Sequence, residues 1–304
     1  MTETVVPFLQ PPEYPDPVRV RRAWQKHQDQ WQDPNALINQ VGQQLLIRLE
    51  EIKIKPQKIL NFGSRSGLIT QQLRKKWPKA TVVAATFSEN AAKNSAPYQG
   101  LLRRSRQPAL VAAGNALPFK RNGFDVVLSN MALHWSGNPA ATLREMRRIL
   151  KPGGALLITV PGAESLQELK SCLARIDETF WGRVWPRVPH FMDMREFGDL
   201  LASSGFTQPI ADRDPIQATF ADTETLIGGL KRMGAGNHHA NRLKGLTPKG
   251  YIQQLDRLYQ QQFGQPDGGI TVSMEILFGH GWKADPNRPE EQPIQSCSLP
   301  SQFS

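Results

Sequence analysis

A short stretch with two glycines, ILNFGSRSGLIT at residues 59–70, has the residue types of a turn that binds the polar end of a ligand. The apolar pair at its start is typical of a buried strand, and the residues after Gly67 favour a helix. Gly63 and Gly67 let a backbone approach a ligand closely, and the unpaired N–H groups of a helix N-terminus attract an anionic or polar group. Asn61 and Arg65, however, stand where such turns usually carry an acid and a further glycine. The stretch therefore predicts either a working ligand site or the remains of one.

The elements around this turn alternate between strand and helix. Short apolar, β-branched runs are each followed by a helical pattern over residues 57–161, and Asn138 with Pro139 has the composition of a helix start. One of these helices is predicted at 90–106, with a break near Pro97. The alternation predicts an α/β fold, doubly wound, with a mainly parallel sheet covered on both faces. Ligands of such sheets bind at the carboxyl ends of the strands, where the two glycines are expected to lie.

The sequence changes character after residue 161. A stripe of apolar residues at helical spacing over 166–180 predicts a helix that packs on a core, and two more helices are predicted near 222–233 and 247–263. The run ITVSMEILFGHGWK has the composition of a strand. We interpret residues 162–283 as the last strands of the sheet together with a helical insertion over the ligand pocket.

The two ends of the chain differ in composition from the rest. Residues 1–17 are rich in proline, and residues 284–304 are rich in proline, glutamine and serine, so we expect a flexible leader and a disordered tail around one domain at 18–283. No apolar run is long enough to span a membrane, and the first residues do not have the pattern of a secretion signal. The sequence therefore predicts a cytoplasmic protein without a membrane partner.

The charge of the chain favours an acidic partner. Its 37 Lys and Arg residues against 27 Asp and Glu give a net charge of +10, and basic residues cluster at 19–22, 74–76 and 103–106. A solvated basic face is the alternative interpretation of these clusters. No helix-turn-helix, zinc-finger or RNP pattern accompanies them, so no nucleic-acid partner is predicted. The two cysteines, Cys172 and Cys297, lie far apart and predict neither a disulfide framework nor a metal site.

Longer segments resemble a known family. NALPFKRNGFDVVLSNMALHW and LREMRRILKPGGALLIT resemble class I methyltransferases that use S-adenosylmethionine. Over about residues 18–283 the chain is most similar to the family of malonyl-[acyl-carrier protein] O-methyltransferases of biotin synthesis. The segments that carry this similarity are RVRRAW, SLQELK, PHFMDMREFGDLLASSGF, LIGGLKRMGAGN, GLTPKGYIQQLDRLY and FGHGWK. A mitochondrial complex I assembly factor, thought to hydroxylate an arginine, is similar across the same segments. The resemblance implies a seven-stranded sheet and S-adenosylmethionine as cofactor.

The resemblance assigns eight residues to the cofactor site, and the chain departs from the family at several of them. The eight are Asn61, Gly63, Arg65, Gly67, Thr86, Asn115, Ala116 and Asn130. The family has acids at the positions of Asn61, Thr86 and Asn115, and a glycine at the position of Arg65. The family acid at the position of Thr86 accepts hydrogen bonds from the ribose hydroxyls of the cofactor. A hydrogen bond to a charged group contributes about 1.5–3 kcal/mol, so threonine there implies that cofactor binding is weakened about 10- to 100-fold. A left-handed backbone at Arg65 implies a further loss of about 1–2 kcal/mol.

Three contacts are open as compensation for these losses. Arg65 either pairs with the carboxylate of the cofactor or fills the space of its methionine end, and we expect obstruction. The side-chain oxygen of Asn115 can still accept a hydrogen bond from the adenine amino group. Glu89 either approaches the ribose or acts as a helix-capping partner of Thr86.

The implied reaction makes few demands on side chains. A malonyl carboxylate is already ionised at neutral pH and attacks the methyl group without a general base, so positioning and exclusion of water supply the rate. The candidate catalytic residues are His134, Trp135 and Arg144, and His190 and Arg195 are further candidates for holding the carboxylate. Ordinary packing is the alternative for His134, and a solvated helix surface is the alternative for Arg144.

Two functions follow from the sequence. The first is methyl transfer from S-adenosylmethionine to the free carboxylate of malonyl-acyl carrier protein, with the acidic carrier protein as partner. The second is a methyltransferase-fold binding or assembly protein that has lost strong cofactor binding. The sequence leaves open which of the two applies, and hence whether the chain is an active enzyme.

Overall fold

The computed structural model describes residues 17–26, 36–95, 108–237, 242–243 and 245–287. Its strands form one sheet and are β1 (Lys58–Phe62), β2 (Thr81–Thr86), β3 (Ala109–Val111), β4 (Phe124–Asn130), β5 (Leu150–Pro161), β6 (Thr207–Phe220) and β7 (Ile270–Trp282). They are arranged in the order β3-β2-β1-β4-β5-β7-β6. Strands β1 to β5 pair in parallel, and β7 runs antiparallel to both of its neighbours. The predicted doubly wound, mainly parallel, seven-stranded sheet is confirmed.

Helices connect and cover the strands. They are α1 (Pro17–Lys26), α2 (Leu37–Glu51), α3 (Leu68–Lys76), α4 (Glu89–Ser95), α5 (Pro139–Ile149), α6 (Gln167–Trp181), α7 (Met194–Ser203), α8 (Thr223–Arg232) and α9 (Tyr251–Phe263). The predicted start of α5 is confirmed, because the Asn138 side chain accepts a hydrogen bond from the Ala141 amide and Pro139 opens the helix. Pro139 fits there because the first helical residue has no intrahelical N–H partner to lose.

Alternating side chains of the central strands pack into two cores on opposite faces of the sheet. Leu60 of β1 and Val127 of β4 lie in one core with residues of α5 and α7. Ile59 and Val126, their neighbours in sequence, lie in the other core with residues of α2 and α3. Because both faces are covered, nearly every residue of these strands is buried, which explains their continuous apolar composition.

Sequence patterns do not locate two of the elements. Helix α1 begins at Pro17, the last residue of the predicted leader, and strand β6 occupies the polar, proline-containing stretch TQPIADRDPIQATF. Of the helix predicted at 90–106, the structure describes α4, which ends at Ser95. Several predictions lie outside the described residues: most of the leader, the third basic cluster, Cys297 and most of the tail.

The helical insertion has a core of its own against the end of the sheet. Helices α6, α8 and α9 bring together Leu169, Leu226 and Leu255, which pack with Ile270 and Val272 of β7. Residues of these helices line one cavity together with Arg65 of the glycine turn, Met131 after β4 and Pro161 at the end of β5.

The described part of the chain has neither a membrane-spanning helix nor a metal cluster. None of its helices is both long and apolar enough to cross a membrane. Within the same residues, no three His, Cys, Asp or Glu side chains come together as a metal site would require.

Candidate functional site

The glycine turn lies between β1 and α3 at the carboxyl edge of the sheet, as the sequence predicts. Gly63 and Gly67 have φ of 77° and 79°, a region that favours glycine. A Cβ at Gly63 would collide with the Cβ of Ala132, and a Cβ at Gly67 would collide with the carbonyl oxygen of Asn94. Both glycines are therefore required by packing of the turn against its own neighbours, whether or not a ligand is present.

The polar side chains of the turn bond mainly to one another. Asn61 Nδ2 donates to Thr70 Oγ1 at 2.8 Å, and the hydroxyls of Ser64 and Thr70 are 2.9 Å apart. Ser95 Oγ donates to Ser64 Oγ at 2.8 Å, which joins the turn to the end of α4. These groups are buried and satisfied by the protein, so the network holds the turn in place.

Asn130 lies at the end of β4 on the same edge. Its Nδ2 donates to the Ile38 carbonyl at 2.7 Å, and its Oδ1 accepts from Thr159 Oγ1 at 2.9 Å. The side chain therefore ties the start of α2 to β4 and β5.

Arg65 extends from the turn into the protein interior and is 7% exposed. Its Nη1 donates to the Met233 carbonyl at 2.7 Å, and its guanidinium carbon lies 3.9 Å from the centre of the Trp24 ring. Trp135 is further away, at 5.9 Å. Burial lowers the pKa of Arg65 from 12.5 to about 9. Arg65 is not among the residues with positive φ, so the left-handed strain considered from the sequence does not arise.

Two cavities adjoin the Arg65 side chain. The small cavity, of about 20 Å³, is lined by turn residues together with Asn39 and Asn130. The chamber, of about 290 Å³, lies under the helical insertion. Arg65 and Ile38 line both cavities, so these two side chains separate the turn from the chamber.

The space beside the turn is small in this structure. The family resemblance places the methionine end of the cofactor against the turn, where the cavity measures about 20 Å³. A whole small-molecule site measures roughly 300–1,000 Å³, so this cavity by itself has room for a water molecule and not for a cofactor. The Arg65 guanidinium, between the Trp24 ring and the Met233 carbonyl, borders this space.

His134 and Trp135 form a short 3-10 helix after β4 and line the chamber. Their rings are 4.6 Å apart, and Phe191 packs edge-on to His134 at 6.2 Å. His134 Nδ1 is buried without a hydrogen-bond partner among the described residues. Burial, with a smaller contribution from the charge of Arg65, lowers the pKa of His134 well below 6.5. The imidazole is therefore neutral at pH 7.

Other predicted cofactor residues lie apart from the cavities. The Thr86 side chain is fully buried, and its Oγ1 has no partner in the described residues. Asn115 and Ala116 are exposed and line neither cavity. Glu89 contacts Arg21 at 3.5 Å on the surface rather than Thr86. Thr86 ends β2 at the same edge of the sheet as the turn, but Thr86, Asn115 and Ala116 line neither of the two cavities.

The predicted carboxylate-binding cations are also outside the chamber. Arg144 is exposed on α5. His190 and Arg195 are exposed and lie beside acids of α7, His190 at 3.6 Å from Glu196 and Arg195 at 3.9 Å from Asp199. Of the candidate catalytic residues, the structure brings His134 and Trp135 to the chamber and leaves Arg144 on the surface.

Residues from distant parts of the chain complete the site and were missed by sequence reasoning. Trp24 is fully buried with Val20 one helical turn before it, a spacing that signals a packed face of α1. Met233 follows α8, and its backbone carbonyl makes the hydrogen bond with Arg65. No side-chain pattern announces such a bond.

Comparison with known proteins agrees with the fold. Residues 60–158 match a family model described as a methyltransferase domain. The malonyl-[acyl-carrier protein] O-methyltransferase of Halorhodospira halophila is 30% identical over 267 residues, covering 86% of each chain. The human mitochondrial arginine-hydroxylase NDUFAF5 is 28% identical over 92% of this chain and 80% of its own. The crystal structure of the YcgJ protein of Bacillus subtilis superposes with a TM-score of 0.54 at 12% identity, covering 80% of this chain and 99% of that one.

Proposed function

The chain belongs to the class I methyltransferase family, and from this premise we propose that it transfers a methyl group from S-adenosylmethionine to the free carboxylate of a malonyl group on an acyl carrier protein. Family membership supports S-adenosylmethionine as its ligand. The similarity to malonyl-[acyl-carrier protein] O-methyltransferases over most of both chains supports the acceptor and a place in biotin synthesis.

One observation carries the proposal. A chamber of about 290 Å³ opens beside the glycine turn at the carboxyl ends of the strands, with Arg65 and Ile38 between the two. A methyl donor at the turn and an acceptor in the chamber would therefore be neighbours once Arg65 moves.

The protein contributes positioning rather than acid–base chemistry. When bound, S-adenosylmethionine supplies an electrophilic methyl group. His134 is neutral, so it does not form an ion pair that would make the acceptor carboxylate less nucleophilic. The apolar walls of the chamber exclude water. An ionised carboxylate needs no general base, so an effect of position and desolvation suffices.

Basic side chains suit an acidic carrier protein. Arg22 on α1 and Lys75 on α3 are exposed, as is Lys231 at the mouth of the chamber. Arg74, by contrast, donates to the backbone carbonyl of Ser95 at 2.9 Å, so its guanidinium binds within the protein. We expect added salt to weaken carrier-protein binding, since exposed charges are screened.

The test is transfer of labelled methyl from S-adenosylmethionine to malonyl-carrier protein by the purified chain. We expect ester formation that disappears when acetyl-carrier protein, which lacks the free carboxylate, is the acceptor. No transfer at saturating concentrations of both substrates would contradict the proposal.

A second candidate function is favoured by Arg65. Because its guanidinium closes the space beside the turn, the chain is alternatively a binding or assembly protein of the same fold that has lost strong cofactor binding. Calorimetry with S-adenosylmethionine and its demethylated product separates the two, and a micromolar dissociation constant would count against this second function.

A further inference from the structure

The chamber has walls of a different chemistry from a malonyl group. Helices α6, α8 and α9 and the start of α2 contribute leucine and isoleucine side chains to its lining, which include Leu37, Leu169, Leu173, Ile227, Leu230 and Leu255. A malonyl group is short and ends in a carboxylate, so it leaves most of such a surface without a contact.

Two cationic side chains of the lining, Arg187 and Lys231, do not place an unmatched charge inside the chamber. Arg187 pairs with Asp177 at 2.7 Å, and the Tyr251 hydroxyl donates to the same carboxylate at 2.7 Å. Asp177 is fully buried, so the charge of Arg187 is matched inside the wall. Lys231 is exposed at the mouth.

Arg65 lies at the end of the chamber that adjoins the small cavity. Its charged guanidinium donates to a backbone carbonyl and stacks on Trp24 there, and His134 is neutral. The part of the chamber that is lined by α6, α8 and α9 therefore favours an uncharged, apolar group.

We propose that the chamber binds the hydrocarbon chain of a medium-length acyl thioester. The chain would lie against the leucine and isoleucine side chains of α6, α8 and α9, with the thioester toward Lys231 and Ile252 at the mouth. The proposal rests on the proposed function only in taking the ligand to be an acyl thioester. Burial of each methylene strengthens binding about fourfold, so affinity should rise steeply with chain length.

Calorimetry with malonyl-, butanoyl- and octanoyl-pantetheine tests the proposal on the full chain without cofactor. We expect octanoyl-pantetheine to bind at least about tenfold more tightly than either of the others. Equal affinities, or tightest binding of malonyl-pantetheine, would overturn the proposal. This series uses the unchanged protein, so its outcome does not depend on whether a variant folds.

A filled chamber provides the second measurement. Ile227→Trp places an indole ring on the side of α8 that lines the chamber. Glu224→Trp places the same ring on the exposed side of that helix. We expect Ile227→Trp to lose at least about tenfold in affinity for octanoyl-pantetheine, and Glu224→Trp to keep it, at unchanged unfolding midpoints. Undiminished binding by a folded Ile227→Trp would contradict the chamber as the site.

The experiments distinguish failure of the acyl-chain proposal from failure of the proposed function. Methyl transfer to malonyl-carrier protein without dependence of binding on chain length would retain the proposed function and reject the acyl-chain ligand. The reverse result would retain the ligand and reject methyl transfer.

Discussion

Replacing Arg65 by glycine tests whether this side chain keeps S-adenosylmethionine from the turn. A hydrogen bond to a charged group contributes about 1.5–3 kcal/mol, and a desolvated cation–π contact contributes about 2 kcal/mol. Arg65 makes both kinds of contact, to Met233 and to Trp24. Burial lowers its pKa from 12.5 to about 9, which corresponds to a desolvation cost of roughly 5 kcal/mol at about 1.4 kcal/mol per pKa unit. Because part of this cost is already included in the two contact energies, the buried position is favoured by a few kcal/mol at most.

Cofactor binding at the turn would have to displace Arg65 from this position, so removal of the side chain should raise ligand affinity by the free energy that holds it there. We expect Arg65→Gly to lower the dissociation constant of S-adenosylmethionine by about tenfold or more, or about 1.4 kcal/mol. Isothermal calorimetry on the full chain measures it. Arg65→Met is the matched control, because methionine keeps much of the volume and removes the charge.

The control separates two causes of exclusion. A smaller gain for Arg65→Met than for Arg65→Gly would assign the exclusion to volume, and equal gains would assign it to charge. Weaker binding by Arg65→Gly would refute the reasoning, since Arg65 would then be a ligand of the cofactor.

Three further changes test packing, a buried hydrogen bond and a titrating group. Gly63→Ala should lower the free energy of unfolding by about 2 kcal/mol or more, because its Cβ meets Ala132 at positive φ, whereas Gly198→Ala, with open space around it in α7, should raise it by about 0.5–1 kcal/mol; urea unfolding measures both. Tyr251→Phe should cost about 1.5–3 kcal/mol by the same assay, because it removes the donor to buried Asp177, and an unchanged stability would contradict this. The pKa of His134 is lowered in the folded state, so its contribution to the free energy of unfolding is present above pH 6.5 and is lost as the pH falls below that value, by up to about 1.4 kcal/mol per pH unit. His134→Gln should flatten this part of the curve of stability against pH. An unchanged slope would show that another group titrates there.

The central sheet is predictable from the sequence because local patterns decide it. Runs such as TVVAAT can be buried on both faces, and the two glycines mark the turn after β1. Strand β6 is missed because it lies at the edge of the sheet and contains Pro209 and Pro215. An edge strand tolerates proline, since the side without a neighbouring strand needs no backbone N–H donor. Its composition resembles that of a loop.

The candidate site is predictable only in part. The edge of the sheet and the special character of Arg65 follow from the turn sequence, whereas obstruction of the turn by this side chain stays a prediction. The partner of Arg65 is the carbonyl of Met233, 168 residues away, and a backbone acceptor leaves no mark on the sequence. Thr86, Asn115 and Ala116 are assigned by resemblance, which gives a position along the chain and not the packing around it.

The position of Arg65 between two cavities links them thermodynamically. Its hydrogen-bond acceptor, Met233, directly follows α8, whose Ile227 and Leu230 line the chamber. A ligand in the chamber that displaces the end of α8 therefore changes the free energy of the Arg65 side chain, and with it the affinity of the turn. Reciprocity requires that a ligand at the turn change the affinity of the chamber by the same factor. Occupancy of either cavity would then alter binding in the other through one arginine.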